Sequence, residues 1–156
     1  MSDVFLILQD IRSVHNVGSI FRTADAAGVA KLYLVGYTPT PIDRFGRTRK
    51  DLSKVALGAE QDVPWEYYKT ITPLLRILRA QKISVVAVEQ DKRSIDYRNY
   101  KHHGAVAFIF GNEVNGVSRK VLAGCNAIIE IPMRGKKESL NVSVSAGIVL
   151  FQCVNR

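Results

Sequence analysis

Ile131-Pro132-Met133-Arg134-Gly135-Lys136-Lys137-Glu138-Ser139-Leu140-Asn141-Val142-Ser143-Val144 separates an apolar run from an apolar helix. Ala127 to Ile131 reads as a strand, and Pro132 ends it because proline has no N–H to give a sheet ladder. Asn141 stands where a helix N-cap belongs. From Val142 to the end of the chain, apolar residues recur at helical spacing. Val142, Ala146, Val149 and Cys153 share one face of that helix; Val144, Ile148 and Phe151 share another. A helix apolar on two sides needs cover on two sides, and Ser143, Ala146 and Gly147 are small enough to let another backbone approach. Two readings follow, a central core helix or a seam against a second copy of the chain.

Upstream of this stretch, strands alternate with helices. Val4 to Gln9, Lys31 to Val35, Ile83 to Val88 and Ala105 to Phe110 are continuously apolar runs that read as buried strands. Asn16 to Ala27 carries helical periodicity and Gly28 ends it. Thr72-Pro73 offers an N-cap followed by proline at the first helical position, for a helix running to about Gln81. Ser118 can cap a short helix that stops at Gly124. Continuous rather than alternating apolar strands, separated by helices, predict an α/β fold with a mostly parallel sheet covered by helices on both faces. Residues 1–156 read as one domain, and the longest irregular piece is about Tyr37 to Lys50.

Composition narrows the chemistry. Lys plus Arg number 22 against 14 Asp plus Glu, a net charge of +8, so a polyanion such as nucleic acid is the first partner to consider. The apolar runs are far shorter than the ~20 residues of a membrane span, and Met1-Ser2-Asp3 lacks the basic start of a signal peptide. The cytoplasm is the expected compartment. Cys125 and Cys153 make neither a disulfide framework nor a zinc site, so no metal is expected.

In doubly covered parallel sheets, ligands sit beyond the carboxyl ends of the strands. Three loops in that position are dense in Gly, Asn, Ser and charge. The first is Gln9 to Arg22, containing Asn16-Val17-Gly18 and Arg22. The second is Phe110-Gly111-Asn112-Glu113-Val114-Asn115-Gly116. The third is the stretch quoted above. Gly111-x-x-x-x-Gly116 is followed by Val117-Ser118 rather than Lys-Ser, which excludes a phosphate-binding loop. The absence of Gly-x-Gly-x-x-Gly argues against a dinucleotide enzyme.

Together these loops resemble the three motifs of the SpoU/TrmH branch of the SPOUT RNA methyltransferases: N-x-G-x-x-x-R, G-x-E-x-x-G and I-P-M-x-G with S-L-N-V-S. All three occur in the family's order. The resemblance implies transfer of a methyl group from S-adenosylmethionine to a ribose 2′-hydroxyl of tRNA or rRNA. It also implies a homodimer with sites beside the interface, and a deep C-terminal trefoil knot, a topology that general folding rules would reject. By the same resemblance Arg22, Asn16, Glu113, Ser139 and Asn141 belong to the catalytic set, while Gly111, Ile131, Met133 and Leu140 hold the cofactor.

The chemistry constrains those roles. Negative charge growing on the 2′-oxygen must be stabilised, or its proton removed. Arginine stays protonated well above neutrality, so Arg22 is a better clamp than base, although both roles stay open. Glu113 can be a site residue or a solvated turn, and Asn141 can cap a helix as well as serve the site. Arg44, Arg47, Arg49 and Lys50 form a basic cluster expected to bind RNA, and Tyr37 and Phe45 beside it can stack on bases. His15 is a weak acid–base candidate; His102 and His103 read as exposed loop residues. Because the first strand begins almost at residue 1, the chain resembles the form without an N-terminal RNA-binding domain. Compactness tips the expected substrate slightly towards transfer RNA. The rival readings are a non-catalytic RNA-binding module of the same fold and a methyltransferase for base nitrogens.

Overall fold

The computed structural model describes residues 2–154. Seven strands, β1 (Val4–Gln9), β2 (Lys31–Val35), β3 (Trp65–Tyr68), β4 (Ser84–Val88), β5 (Ile95–Asp96), β6 (Val106–Phe110) and β7 (Ala127–Glu130), make one sheet in the order β3-β2-β1-β6-β4-β7-β5 among the described residues. Every pairing between these strands is parallel. The helices are α1 (Val14–Ala27), α2 (Lys50–Ala56), α3 (Ala59–Asp62), α4 (Ile71–Ala80), α5 (Arg119–Ala123) and α6 (Val142–Cys153), with a 3-10 turn at Tyr97–Asn99.

Strand periodicity sorts the core into two layers. On β1, Leu6 and Leu8 face one layer with Leu32, Leu34 and Phe108, packed against α1, α2 and α6. Ile7 faces the other layer with Tyr33, Val85, Ala107 and Ile109, packed against α4 and α5. Side chains one residue apart on a strand point to opposite faces, so an apolar run on a central strand supplies both cores. The expected parallel sheet covered on both faces is therefore observed. No helix among the described residues is long and apolar enough to cross a membrane.

Several local expectations need correction. Helix α1 begins at Val14, two residues before the expected Asn16, and Ser13 caps it: the Ser13 hydroxyl accepts from the Asn16 N–H. Helix α4 begins at Ile71, so Thr72 and Pro73 lie inside its first turn, where the lost N–H has no intrahelical partner to miss. The final strand stops at Glu130, one residue early. The last helix begins at Val142 as expected; residues 155 and 156 lie outside those described. Strands β3 and β5 and helices α2 and α3 had no expectation. His102 is half-buried rather than a free loop residue, with ring nitrogens 2.9 Å from the Gly104 carbonyl and 3.3 Å from that of Cys153.

Gly18, the glycine of the first motif, has a packing role. A methyl there would sit 2.9 Å from Val55 Cβ and 3.0 Å from the Leu52 carbonyl oxygen, so α1 and α2 meet only because residue 18 has no side chain. Both obstacles are stiff, one a branched carbon and one backbone. Gly18→Ala gains helix propensity of about 1 kcal/mol but overpacks by about 1–3 kcal/mol. We expect the overpacking to win, with a net loss of about 1–2 kcal/mol in urea unfolding; an unchanged midpoint would contradict this packing account.

Candidate active site

The three loops meet at the carboxyl edge of the sheet. They leave β1, β6 and β7, which lie within four consecutive strands of the sheet order, with β4 between the last two. Between them lies a cleft of about 560 Å³ lined by Asn16, Gly111, Glu113, Ile131, Met133, Ser139, Leu140 and Asn141, with Val88, Glu89, Phe110 and Val142 among the other walls.

The first and second loops are locked together by polar groups. Asn112 is buried; its amide donates to the Asp10 carbonyl at 2.9 Å and its oxygen accepts from the Val114 and Asn115 N–H groups. The Glu113 carboxylate then reaches across to the start of α1. It accepts from the Arg12 N–H at 3.0 Å, the Ser13 N–H at 3.2 Å and the Asn16 amide at 3.5 Å. N–H groups at a helix start have no intrahelical acceptors, so a carboxylate is well placed there. Desolvation pushes the Glu113 carboxyl up, but the N–H groups of Arg12, Glu113 itself and Ser13, with the Asn16 amide, more than offset it; the group lies below the ordinary glutamate range.

The connection after β4 holds the other two loops. One Glu89 oxygen accepts from the Val117 N–H at 3.0 Å, and the other from the Gln90 N–H. Gly116 has φ +65°, and a methyl there would overlap the Glu89 carboxylate. The Gln90 amide donates to the Glu138 carbonyl at 2.6 Å, tying the third loop to β4. At the end of that loop Asn141 caps α6, accepting from the Ser143 N–H at 2.9 Å, while its neighbours line the cleft.

The fold of this chain is shared with known proteins. Residues 3–151 match the SpoU rRNA methylase family. The chain belongs to that family. The 23S rRNA (guanosine-2'-O-)-methyltransferase RlmB of Vibrio vulnificus is 36% identical over 155 residues, covering 99% of this chain and 60% of the relative. That of Escherichia coli K12 is 34% identical over 151 residues, covering 97% of this chain and 59% of the relative. The chain thus spans about 60% of the length of these curated relatives. Among solved structures, the AdoMet-bound rRNA methyltransferase from Sinorhizobium meliloti superposes with a TM-score of 0.88 at 30% identity, covering 96% of this chain and 55% of that one. The A. aeolicus TrmH/SpoU tRNA modifying enzyme gives 0.85 at 26% identity, covering 99% and 75%.

Within the SpoU family frame, eight of the nine residues expected at the catalytic and cofactor positions line one cleft. The ninth, Arg22, does not line the cleft of its own chain. It is exposed on α1, six residues past Asn16, which carries it ~9 Å along the axis at 1.5 Å per residue. Arg44, Arg47 and Arg49 line a second hollow, and Lys50, at the start of α2, does not. His15 is exposed and outside both. No group of His, Cys, Asp or Glu among the described residues is arranged to hold a metal. Asn112, Glu89 and Gln90 were missed by sequence reasoning. For the last two the available signal was an acid–amide pair directly after a strand, at the sheet edge where ligands bind.

A lowered pKa gives Glu113 a testable sign. Its bonds to α1 stabilise the fold above the ordinary glutamate value of 4.5 and are lost as pH falls through the lower folded value. Hydrogen exchange followed by NMR should show the Arg12 and Ser13 amides protected at neutral pH and released in acid. In Glu113→Gln both should exchange faster at every pH; undiminished protection in that variant would refute the contact.

Proposed function

We propose that this chain is an S-adenosylmethionine-dependent RNA methyltransferase that modifies a ribose 2′-hydroxyl. The observation that carries the reading is the convergence of Asn16, Glu113, Ser139 and Asn141 with Gly111, Ile131, Met133 and Leu140 on one cleft, in a member of the SpoU family. The cleft suits the cofactor. Val88, Phe110, Ile131, Met133, Leu140 and Val142 supply apolar walls for an adenine and a methionine chain, and the volume is that of a small-molecule site. When bound, S-adenosylmethionine supplies an electrophilic methyl group. The protein's own part is positioning and electrostatics. Glu113 fixes the first turn of α1 and so orients the Asn16 amide; Ser139 and Asn141 present polar groups at the cleft mouth.

Arg22, held as a permanent cation, clamps the negative charge that develops on the oxygen. We place it across a homodimer seam, so that Arg22 of the partner subunit serves each cleft. Support comes from α6, where Val144 and Phe151 are each 49% exposed, and from the next α1 residue, Thr23, whose methyl faces Gly147 of α6. Arg22 therefore borders the apolar stripe that a second copy would cover. The deep trefoil knot belongs to the same proposal. Its support is that the segment after β4 runs out to β5 and returns to β6 through the turn at Tyr97–Asn99, while β7 lies between β4 and β5 and α6 packs on that turn. Residues 1–156 then act as one catalytic domain in the cytoplasm, with no metal.

RNA engages the basic loop of Arg44, Arg47, Arg49 and Lys50 in this reading. Ribosomal RNA is the proposed substrate, in place of the slight expectation of transfer RNA. The RlmB relatives and the Sinorhizobium meliloti structure carry rRNA in their names, at higher identity than the A. aeolicus tRNA enzyme.

Incubation of unmodified ribosomal RNA with labelled cofactor, followed by digestion to nucleosides, tests the reaction. A 2′-O-methylated nucleoside is expected; a methylated base, or RNA binding without product, would replace this reading with one of its rivals. Arg22→Ala should lower turnover by about 100-fold or more while cofactor affinity stays within a few-fold. For the seam, Val144→Arg should convert a dimer to a monomer in analytical ultracentrifugation. A wild-type chain that sediments as a monomer at every concentration would remove the trans role of Arg22.

A further inference from the structure

The second hollow, of about 930 Å³, lies outside the cleft and is lined by residues from separate segments. Tyr37 and Phe45 come from the connection after β2, and Trp65 and Tyr67 from the edge strand β3. Tyr37 is 68% exposed, Phe45 65% and Tyr67 49%. So much aromatic surface facing one hollow is unusual for side chains with nothing to bind.

The geometry around these rings is built rather than loose. Asp43 accepts from the Phe45 N–H at 2.8 Å and the Arg47 N–H at 2.9 Å, which fixes a tight turn. The Arg44 and Arg47 guanidinium groups lie 4.8 and 4.9 Å from the centre of the Phe45 ring. Phe45 thus works as a plate that orders two flat cations. The Tyr67 hydroxyl donates to the Gly36 carbonyl at 2.8 Å, which sets that ring at the mouth. Asp43 spends its oxygens on the turn and on Arg47 Nε, and Arg44 has no ion-pair partner among the described residues. The loop therefore faces outward as net cation beside aromatic surface.

We infer that this hollow receives an unpaired base of the RNA, with the base against the Tyr37, Trp65 and Tyr67 surface and its flanking phosphates on Arg44 and Arg47. The inference rests on the reading of the chain as an RNA enzyme and adds the conformation of the substrate. A base inside a duplex has both π-faces covered by its neighbours, whereas a base in a loop or bulge can be splayed onto aromatic side chains and guanidinium planes. A duplex would satisfy the cations but leave the rings unused.

The hollow and the cleft are also joined. Asp10 accepts from the Tyr37 N–H through its side chain and from the Asn112 amide through its carbonyl. Strand β2 is separated from β6 by β1 alone, so the two openings begin ~10 Å apart at ~4.8 Å per strand. An RNA loop held in the hollow has its neighbouring nucleotides along the edge where the cleft opens.

Trp65 is the chain's one tryptophan, so its fluorescence reports on this hollow. The probes are a short single-stranded oligouridylate and an RNA duplex of equal length, each carrying a dye so that total binding is read independently by anisotropy. Bound single strand should quench or shift Trp65 emission, and bound duplex should leave it nearly unchanged. Tyr37→Ala should weaken single-strand binding about tenfold, the order expected for losing one base–ring stack, while duplex affinity changes less than twofold. Arg44→Ala should weaken both and flatten the salt dependence. S-adenosylmethionine binding, unchanged in both variants, verifies the fold. Binding by anisotropy with a silent Trp65, or equal responses to the two RNAs, overturns the inference and leaves the methyltransferase reading intact. A Trp65 response that tracks protein concentration without RNA makes the hollow a contact between copies, and also overturns it. A Trp65 response to single strand in a protein that methylates no RNA supports the hollow and sinks the enzyme. No binding of either RNA sinks both.

Discussion

The carboxylate of Glu113 spans from the end of β6 to the start of α1, and the arrangement of the cleft depends on it. The sheet brings β1 and β6 side by side, but adjacency of strands fixes only where their loops begin. Two polar joints fix where they go. The Asn112 amide holds the Asp10 carbonyl, and Glu113 takes N–H groups that the helix cannot satisfy itself. Without a carboxylate there, the Arg12 and Ser13 N–H groups would need water, and α1 would enter the site at an angle set by packing alone. Because Asn16 is in the first turn of α1, an error in that angle moves its amide directly. The bonds are exposed, yet their donors belong to a helix start already oriented by a well-buried helix, so little ordering entropy opposes them.

How much of this was readable in advance follows from where the information lies. The strands β1, β2, β4 and β6 are continuous runs of apolar residues, a signal that survives without tertiary context. Strand β3 carries Trp65-Glu66-Tyr67-Tyr68, half exposed at the sheet edge, and β5 is the pair Ile95-Asp96; neither has a run to read. Helix α2 was hidden because it is short and has few apolar residues to set a period, with Leu52 and Ala56 its buried residues. The site was legible where backbone-close residues recur at fixed spacing, as in Gly111 to Gly116. It was illegible where a contact joins segments far apart in sequence, as with Glu89 and Val117 or Gln90 and Glu138. Arg22 shows the limit differently: its place in a motif was clear, but a motif does not say where a side chain sits, and Arg22 lies exposed on α1 outside the cleft.

Charge is distributed with opposite signs on the two openings. The chain carries +8 overall, yet Glu89, Glu113, Glu130 and Glu138 line the cleft. Glu89 and Glu113 are committed to backbone N–H groups, so their charge is partly neutralised by structure they hold in place. Even so, a cleft walled by carboxylates is a poor resting place for a phosphodiester and a good one for a sulfonium. Arg44 and Arg47 of the second hollow and Arg134, Lys136 and Lys137 of the third loop are exposed around it. Such a field favours a polyanion at the rim and disfavours one inside the carboxylate-lined cleft.

This separation gives the third loop two tasks with different physical demands. Its apolar residues, Ile131, Met133 and Leu140, face the cleft, while the cations between them stay in solvent. The loop has little regular structure of its own and is pinned at two places, by Gln90 on the Glu138 carbonyl and by the Asn141 cap of α6. Ahead of both pins Arg134 to Lys137 run exposed, which suits phosphate contacts that carry no sequence information. From the first pin to the second, Ser139 to Asn141 line the cleft and are held at both ends. In the proposed reading, pinning the loop at its end rather than along its length leaves the cationic segment adaptable towards RNA and holds the cleft-lining segment in place for the donor. On that reading, deleting either pin would couple the two, so that contact at the cations would disturb the residues that line the cleft.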